Sequence, residues 1–444
     1  MSQKFQGTKN IVLQTFLDNT FLSDFKDNSL NKLELELILT PYCNEHCSYC
    51  YINKYGNKLF EGCDISKENI LKNLELIVSC LSKNYSLRTL DIFSGEFFNL
   101  PYWKDVFEIV IRYSLKRNFC KNIMIPTNGT FITNPNIKSD VELYIEKLKK
   151  VGIDLRLSLS IDGKYIDKHS RTLEVKDNFY NEIFDFAFKY EYGFHPMVSK
   201  EFVENFEENY TWWIKNLSTR LKEFNNINSG VMFLEVRNDY WDDELIEKYH
   251  QGLLKAAEID FKYLHNSSTL DFADRFFTIT NRWNRWNFNF ISFPHEDNKY
   301  TCSIQKTIQL RVPDSSIVMC HRLSYKGMVA ATLDFTDNGI KVKEAKNLDL
   351  FFKIKTTNPN ISVPKCFNCP INQFCMKGCL GSQFETSGEL FHPIESVCKL
   401  MIARYKSMNE IAEKFQLYDA LQYFNLSPAR MQRIEEGRNI LCKL

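Results

Sequence analysis

Ten of the 14 cysteines in this 444-residue chain fall into three groups whose spacing could hold metal. In chain order they are Cys43, Cys47 and Cys50, then Cys302 and Cys320, and finally Cys366, Cys369, Cys375, Cys379 and Cys398. A chain of this length buries a core large enough to fold without covalent crosslinks. Clustered cysteines in such a chain indicate metal or redox chemistry in a reducing compartment.

The first group supplies three thiolates within eight residues. That is one ligand too few to close a tetrahedral zinc site or a four-iron cube, so one metal position would stay open for a reactant. A zinc site or scattered buried thiols remain the alternatives on spacing alone. The group follows a predicted strand directly, and in (β/α) barrels the loops at the carboxyl ends of the strands carry the active site.

The elements that position these cysteines alternate between strand and helix. Residues 33–39 are apolar at every second position, and residues 65–81 then place apolar side chains on one helical stripe. Five further strand–helix pairs are predicted at 87–93 and 106–115, 122–126 and 141–151, 154–161 and 179–190, 195–199 and 210–224, and 231–236 and 244–259. Parallel strands need helix-length connections, so the pattern predicts an α/β fold with a partial (β/α)6 barrel.

One predicted strand shows which face would line the barrel. Leu155, Leu157 and Leu159 share one face, whereas Arg156 and Ser158 share the other. An apolar face toward helices and a polar face toward a lumen are typical of a ligand-holding barrel.

The spacing of Cys43, Cys47 and Cys50, with the aromatic Tyr49 before the last cysteine, resembles the radical S-adenosylmethionine (SAM) superfamily. The resemblance implies a [4Fe-4S] cluster whose fourth iron is chelated by SAM. In that family the reduced cluster splits SAM to a 5′-deoxyadenosyl radical. Tyr49 is then among the residues expected to contact SAM.

Further matches to this family follow the next three predicted strands. Ser94-Gly95-Glu96 resembles a Gly-Gly-Glu segment that binds the SAM amino group, although Ser94 replaces the first glycine and Phe97 the usual proline. Asn128 lies in a Thr-Asn-Gly turn similar to that of the family. By the same resemblance Ser160 and Asp162 would lie near the ribose, and Arg171 near the carboxylate. Each match alone is compatible with an ordinary turn.

The later cysteines resemble a SPASM domain, which carries two auxiliary iron–sulfur clusters. Carried over, Cys366, Cys369, Cys375 and Cys398 would bind the outer cluster, and Cys302, Cys320 and Cys379 the inner one. The segment before Cys320 departs from the family at Ser315, near which a glycine is usual. With only three protein ligands, one iron of the inner cluster would keep an open coordination position, which a substrate thiolate could occupy.

His321 follows Cys320 at the position where anaerobic sulfatase-maturating enzymes have an aspartate base, and those enzymes have a further cysteine before it. The difference argues against formylglycine formation. His321 is a candidate catalytic base, with a packing role as the alternative.

Composition excludes several classes of function. Lys and Arg number 56 against 55 for Asp and Glu, a net charge of +1, which argues against binding to nucleic acid or to a membrane surface. No stretch is long and apolar enough for a membrane span, and no signal peptide is evident, so a cytoplasmic location is expected.

Five segments are expected. They are an N-terminal extension (1–31), a radical SAM partial barrel (32–261), an aromatic-rich bridge (262–300), a SPASM domain (301–400) and a C-terminal helical tail (401–444).

The resemblance implies a maturase of ribosomally made peptides, with a cysteine thioether as the preferred product. A carbon–carbon crosslink, modification of a protein side chain as in sulfatase maturation, and a non-catalytic metal scaffold are the alternatives. The implied partners are a precursor peptide and an electron donor such as flavodoxin or ferredoxin. Leader recognition would fall to a separate protein, to the N-terminal extension or to the helical tail. Glu235 and Arg237 could meet the peptide.

Overall fold

The computed structural model describes residues 34–84, 86–93, 95–116, 118–172, 178–221, 231–238, 240–263, 268–277, 286, 304, 307–336, 339–358, 362–375 and 377–444. Ser94, Cys302, the N-terminal extension and most of the aromatic-rich bridge lie outside these residues. The chain divides into two compact units that interleave along the sequence. The first comprises Met1–Asn44, Cys50–Ser158 and Ser303–Thr356, and the second comprises Glu45–Tyr49, Leu159–Cys302 and Thr357–Leu444.

Eleven strands are present in the described residues. They are β1 (Glu34–Ile38), β2 (Leu87–Phe93), β3 (Cys120–Thr127), β4 (Asp154–Leu159), β5 (Gly193–Phe194), β6 (Met197–Val198), β7 (Leu234–Glu235), β8 (Ile308–Arg311), β9 (Ser316–Val318), β10 (Ala331–Thr336) and β11 (Gly339–Ala345).

The α-helices of the first unit are α1 (Tyr51–Leu59), α2 (Lys67–Asn84), α3 (Trp103–Ser114), α4 (Pro135–Lys150) and α11 (Leu348–Thr356). Those of the second unit are α5 (Asp167–Ser170), α6 (Phe179–Tyr190), α7 (Lys200–Glu204), α8 (Phe206–Leu221), α9 (Asp243–Tyr263), α10 (Thr269–Phe277), α12 (Pro364–Phe367), α13 (Leu380–Ser387), α14 (Glu395–Lys414), α15 (Leu417–Ala420) and α16 (Pro428–Leu441).

The sheet of the first unit has the strand order β11-β10-β9-β8-β1-β2-β3-β4. β8, β1, β2 and β3 are parallel, whereas β9, β10 and β11 continue as an antiparallel meander. The predicted strands at 33–39, 87–93 and 122–126 are confirmed as β1, β2 and β3. The α/β fold with a parallel strand–helix core is therefore as the sequence predicted.

Two faces of this sheet differ in polarity. Leu37, Ile92 and Ile123 share one face and are fully buried, which is what the period-two pattern predicted. The opposite face of β1 and β2 carries Glu36 and Asp91, which are aligned in the register. The strands thus bury their apolar face and place polar groups where a ligand could lie.

The antiparallel strands β9 to β11 were not predicted from the sequence. β8 joins β1 in parallel, with Leu35 opposite Ile308, and the meander then extends the sheet. Arg311, at the end of β8, is 1% exposed, donates to the carbonyl oxygens of Leu59 and Ser324, and pairs with Asp314 at 2.7 Å. A buried guanidinium thus ties the meander to the end of α1.

Aromatic residues fill the core of the second unit. Trp213 is fully buried, and Trp286 stacks on Phe233 with ring centroids 4.7 Å apart. These tryptophans are therefore core residues. In the described residues, no helix is both long and apolar enough to cross a bilayer.

Glu235 at the end of β7 is also a core residue. Its carboxylate pairs with Arg404 of α14 at 2.9 Å and accepts a hydrogen bond from Tyr249 of α9 at 2.5 Å. Glu235 is 2% exposed, so its side chain joins strand to helices and is not presented to a peptide.

Candidate active site

The backbone pairing of β1 and β2 continues past both strands and places Cys43. Gly95 N donates to Thr40 O at 2.9 Å, and Glu96 N donates to Tyr42 O at 2.7 Å. A Cβ atom on Gly95 would lie 2.0 Å from Tyr42 O, so only glycine permits this approach. The two loops therefore run side by side up to the residue that precedes Cys43.

Glu96 joins three of the loops that the sequence singled out. Its Oε1 accepts hydrogen bonds from Phe98 N at 3.1 Å and Thr127 Oγ1 at 2.8 Å, and its Oε2 accepts one from Asn128 N at 2.7 Å. The Asn128 side chain donates in turn to Asn44 Oδ1 at 2.9 Å. Gly95, Glu96 and Asn128 thus meet at one edge of the sheet, next to the chain that follows Cys43.

The loop Glu45–Tyr49 is held in the second unit by the segment that follows β4. Ser48 N donates to Ser170 O at 2.7 Å, and His46 N donates to Thr172 Oγ1 at 3.1 Å. These bonds fix the backbone on both sides of Cys47.

Side chains reinforce this attachment. Arg171 donates to Glu45 Oε2 at 3.0 Å and to the Tyr49 hydroxyl at 2.9 Å, and Tyr49 donates to Asp162 Oδ2 at 2.6 Å. Three of the residues predicted from the resemblance are therefore in contact. Sequence reasoning missed Glu45, although an acid between two cysteines and a downstream arginine was an available signal.

Burial sets the protonation of this network. It raises the pKa of Tyr49 well above its usual range, so the phenol keeps its proton and donates it to Asp162. Burial also raises the pKa of Glu45, and the nearby Arg171 opposes that shift. Burial alone would lower the pKa of Arg171, but the negative charges of nearby acidic groups, Asp162 and Glu45 among them, outweigh burial and raise that pKa. The guanidinium is thus the counter-charge of the loop.

Asp162 is fully buried beneath this loop. Its carboxylate and carbonyl accept hydrogen bonds from Tyr49, from Ser170 Oγ at 3.0 Å, Met197 N at 2.8 Å, Asn209 Nδ2 at 2.9 Å and Trp213 Nε1 at 2.9 Å. The structure places the Asp162 side chain inside the protein as an anchor. Ser160, two residues earlier, is partly exposed at the end of β4.

The three cysteines of the first group lie along this doubly anchored segment. Cys43 and Cys50 are partly exposed, whereas Cys47 is buried and its Sγ lies 3.7 Å from Glu45 Oε2. Cys50 directly precedes α1, and a helix N-terminus favours a thiolate. The donor set suits a metal cluster that prefers thiolate ligands.

His321 lies on the polar face of the first unit. Its Nδ1 is 2.9 Å from Glu36 Oε1, and its ring stacks on Phe93 with centroids 4.3 Å apart. Both interpretations of His321 are compatible with this geometry, because a carboxylate orients the imidazole while a ring packs against it.

Asp91 and Gln309 are two further polar residues on the face that carries Glu36 and His321. Burial raises the pKa of Asp91 to about 7, and the negative charges of Glu36 and Glu34 add to the shift while His321 opposes it. Gln309 lies opposite Glu36 in the register, and neither polar atom of its side chain has a hydrogen-bond partner among the described residues. This face is therefore rich in groups that could hold or move a proton.

The third cysteine group lines one cavity of the second unit, with an empty volume of about 540 Å³. The five cysteines on its wall are Cys366, Cys369, Cys375, Cys379 and Cys398. The structure thus brings the four expected outer ligands together and places Cys379 with them. Cys320 belongs to the first unit, and Cys302 lies outside the described residues.

Within the described part of the chain, no group of three or more Cys, His, Asp or Glu side chains is arranged for a single metal ion. In an iron–sulfur cluster each thiolate binds its own iron, so its ligands need not converge on one point.

The remaining cysteines have simpler environments. Cys80 and Cys120 are buried, and burial raises the pKa of the Cys120 thiol to about 12. They behave as small apolar side chains.

Comparison with known proteins identifies the segment that carries the first cysteine group. Residues 37–181 match the radical SAM superfamily. This segment is a radical SAM domain. The chain is therefore an enzyme, and the match of residues 37–181 implies that it binds SAM and an iron–sulfur cluster.

One solved structure supports the fold, and a second is less similar. Native anSMEcpe with bound AdoMet is similar with a TM-score of 0.53 and 14% identity, over 88% of this chain and 100% of that one. SuiB of Streptococcus suis, bound to SAM, has a TM-score of 0.44 and 15% identity, over 85% of this chain and 80% of that one. No curated protein sequence matches this chain significantly.

Proposed function

We propose that this radical SAM enzyme matures a ribosomally made peptide, and that it uses three [4Fe-4S] clusters to do so. The observation that carries the proposal is the cavity of the second unit. Five cysteines of the SPASM-like series line it, in the same chain as a radical SAM domain. Auxiliary clusters of this type occur mostly in relatives that modify peptides.

The residues of the first site fit the groups assigned to them. Cys43, Cys47 and Cys50 would hold the SAM-binding cluster, and Gly95 lets the loop after β2 lie against the segment that precedes Cys43. When bound, SAM would supply the radical that abstracts a hydrogen atom from the substrate.

The side chains around that site divide into two roles. The residues that we propose to contact SAM are Gly95, Glu96, Asn128 and the partly exposed Ser160. Tyr49, Asp162 and Arg171 act chiefly on the cysteine loop, because they already bond one another or Glu45.

The auxiliary sites would bind the other two clusters. Cys366, Cys369, Cys375 and Cys398 would hold the outer one, and Cys302, Cys320 and Cys379 the inner one. With three protein ligands the inner cluster would accept a substrate thiolate, which favours a cysteine thioether as the product. His321, oriented by Glu36, would be the base. The precursor peptide and an electron donor such as flavodoxin or ferredoxin are the partners we propose.

The test begins with iron and SAM chemistry. Protein reconstituted without oxygen should hold about twelve irons per chain. With SAM and a strong reductant it should form 5′-deoxyadenosine, and a Cys43→Ala, Cys47→Ala, Cys50→Ala variant should not. Full iron without this product, alone and with candidate peptides, would contradict the site.

The second stage addresses the substrate. Cysteine-containing precursor peptides should lose two hydrogen atoms by mass spectrometry and lose reactivity toward a thiol-alkylating reagent. A peptide that loses hydrogen but keeps its free thiol would indicate a carbon–carbon crosslink. Formylglycine would indicate a sulfatase-maturase-like activity.

A further inference from the structure

A buried cation lies in the five-cysteine cavity, and the proposed function does not use it. Lys377 lies between Cys375 and Cys379, lines the cavity and is 6% exposed. Its Nζ donates to the carbonyl oxygen of Asn372 and to Asn372 Oδ1, which are neutral acceptors. A buried ammonium is costly unless negative charge compensates it.

The groups that would compensate the charge of Lys377 are cysteines, once they are thiolate ligands of a cluster. The groups that act on it electrostatically are Cys375, Cys366, Cys369 and Cys398, in that order. Among the described residues no carboxylate forms an ion pair with it. The four thiols that surround the ammonium are the same four that the proposed function assigns to the outer cluster.

The backbone at Lys377 is also unusual. Lys377 has φ of 60° and Gly378 has φ of 71°, so two left-handed residues follow each other. Left-handed backbone is uncommon for lysine. The turn lets Lys377 N donate to Cys375 Sγ at 3.3 Å. The buried Lys377 is thus held next to the cysteines of the cavity by its backbone conformation and by its hydrogen bond to Cys375.

Two other cations line the cavity but differ in environment. Arg237 lines the wall and acts on Cys375. Lys365 has a side chain that is 47% exposed and pairs with Glu395 at 3.7 Å. Solvent screens an exposed charge far more than a buried one, so Lys377 should dominate.

We propose that Lys377 is the counter-charge of the iron–sulfur cluster held by Cys366, Cys369, Cys375 and Cys398, and that it raises the reduction potential of that cluster. The inference rests on the proposed function, which supplies the cluster. Reduction adds an electron, and a fixed positive charge in a medium of low dielectric constant stabilises the reduced form. The outer cluster is thereby a better one-electron acceptor.

The test measures a potential rather than turnover. In the Cys43→Ala, Cys47→Ala, Cys50→Ala background, only the auxiliary clusters remain, with about eight irons per chain. Midpoint potentials are measured by electron paramagnetic resonance during a redox titration. Lys377→Met should disfavour reduction at least about tenfold, a fall of about 59 mV for one electron. Lys377→Arg should restore most of the potential, and Lys365→Met should change it much less.

The outcomes separate this inference from the proposed function. A background protein without about eight irons contradicts the auxiliary clusters themselves. Full iron with an unchanged potential in Lys377→Met overturns the inference, and so does a fall of equal size in Lys377→Arg.

Loss of iron in Lys377→Met is resolved by Lys377→Gln, which keeps a hydrogen-bond donor without the charge. If Lys377→Met and Lys377→Gln both lose iron while Lys377→Arg keeps it, the positive charge is needed for assembly of the cluster, and the counter-charge role is supported. If all three variants lose iron, the inference is overturned, because the requirement is then for lysine itself.

Discussion

Removal of Arg171 should loosen the loop that carries Cys47. Arg171 and Glu45 form an ion pair with 6% and 2% of their side chains exposed. Removal of one partner of a buried pair costs about 3–5 kcal/mol, because the other charge stays buried without compensation. Arg171→Met should therefore destabilise the folded protein by an amount near the lower end of this range.

The lower end is expected because Glu45 can take up a proton. Its pKa is already raised by burial, and loss of the guanidinium raises it further. When the pKa of a carboxyl group is higher in the folded state than in the unfolded state, the free energy of unfolding falls as the pH rises, because the folded state resists ionisation of that group. The cost should therefore be about 3 kcal/mol at pH 8 and smaller at pH 5. In a unit of this size that corresponds to a fall in Tm of about 6–12 °C.

A double-mutant cycle measures the effect. Arg171→Met, Glu45→Gln and the double variant are compared by thermal unfolding at both pH values, together with iron content. Arg156→Met is the matched control, because Arg156 pairs with Asp154 at 2.8 Å but both side chains are more than half exposed. That exposed pair should contribute less than about 1 kcal/mol.

Coupling between Arg171 and Glu45 should be clear, and the double variant should be more stable than Arg171→Met. Equal stability of Arg171→Met and Arg156→Met at pH 8 would refute the reasoning. So would the absence of any pH dependence in the cost, because proton uptake by Glu45 then plays no part.

Three further changes test other parts of the site. Gly95→Ala forces a Cβ to within 2.0 Å of Tyr42 O and should cost about 3 kcal/mol and most SAM cleavage, whereas Gly327→Ala, with open space around it, should be neutral by thermal unfolding and 5′-deoxyadenosine yield. Asp91→Asn removes a carboxyl group whose pKa is raised to about 7, so the stability of the variant relative to the parent, measured by urea titration, should increase by about 4 kcal/mol from pH 4 to pH 8; parallel pH profiles of the two proteins would contradict this. Cys379→Ala should lower iron by about four per chain and leave the signal of the outer cluster, and a loss of the outer signal instead would reassign this cysteine.

The sequence was sufficient for the local elements and for the residue types of the site. Alternation in residues 33–39 and 87–93 predicted β1 and β2, because a strand buried on one face must alternate. The spacing Cys43, Cys47, Cys50 indicated a metal site with an open position, since that chemistry depends on the number and type of ligands. These features depend on neighbours along the chain, and the sequence shows them directly.

Only the tertiary structure decided what each side chain contacts. The contacts of the buried Asp162 and Arg171 with Tyr49 and Glu45 could not be predicted, because contacts made across more than 100 residues leave no local pattern. The same reason hid the meander of β9 to β11, whose short strands gain their stability from an existing sheet edge. It also hid the placement of Lys377 among thiols, since burial and charge compensation arise only when distant segments close on one cavity.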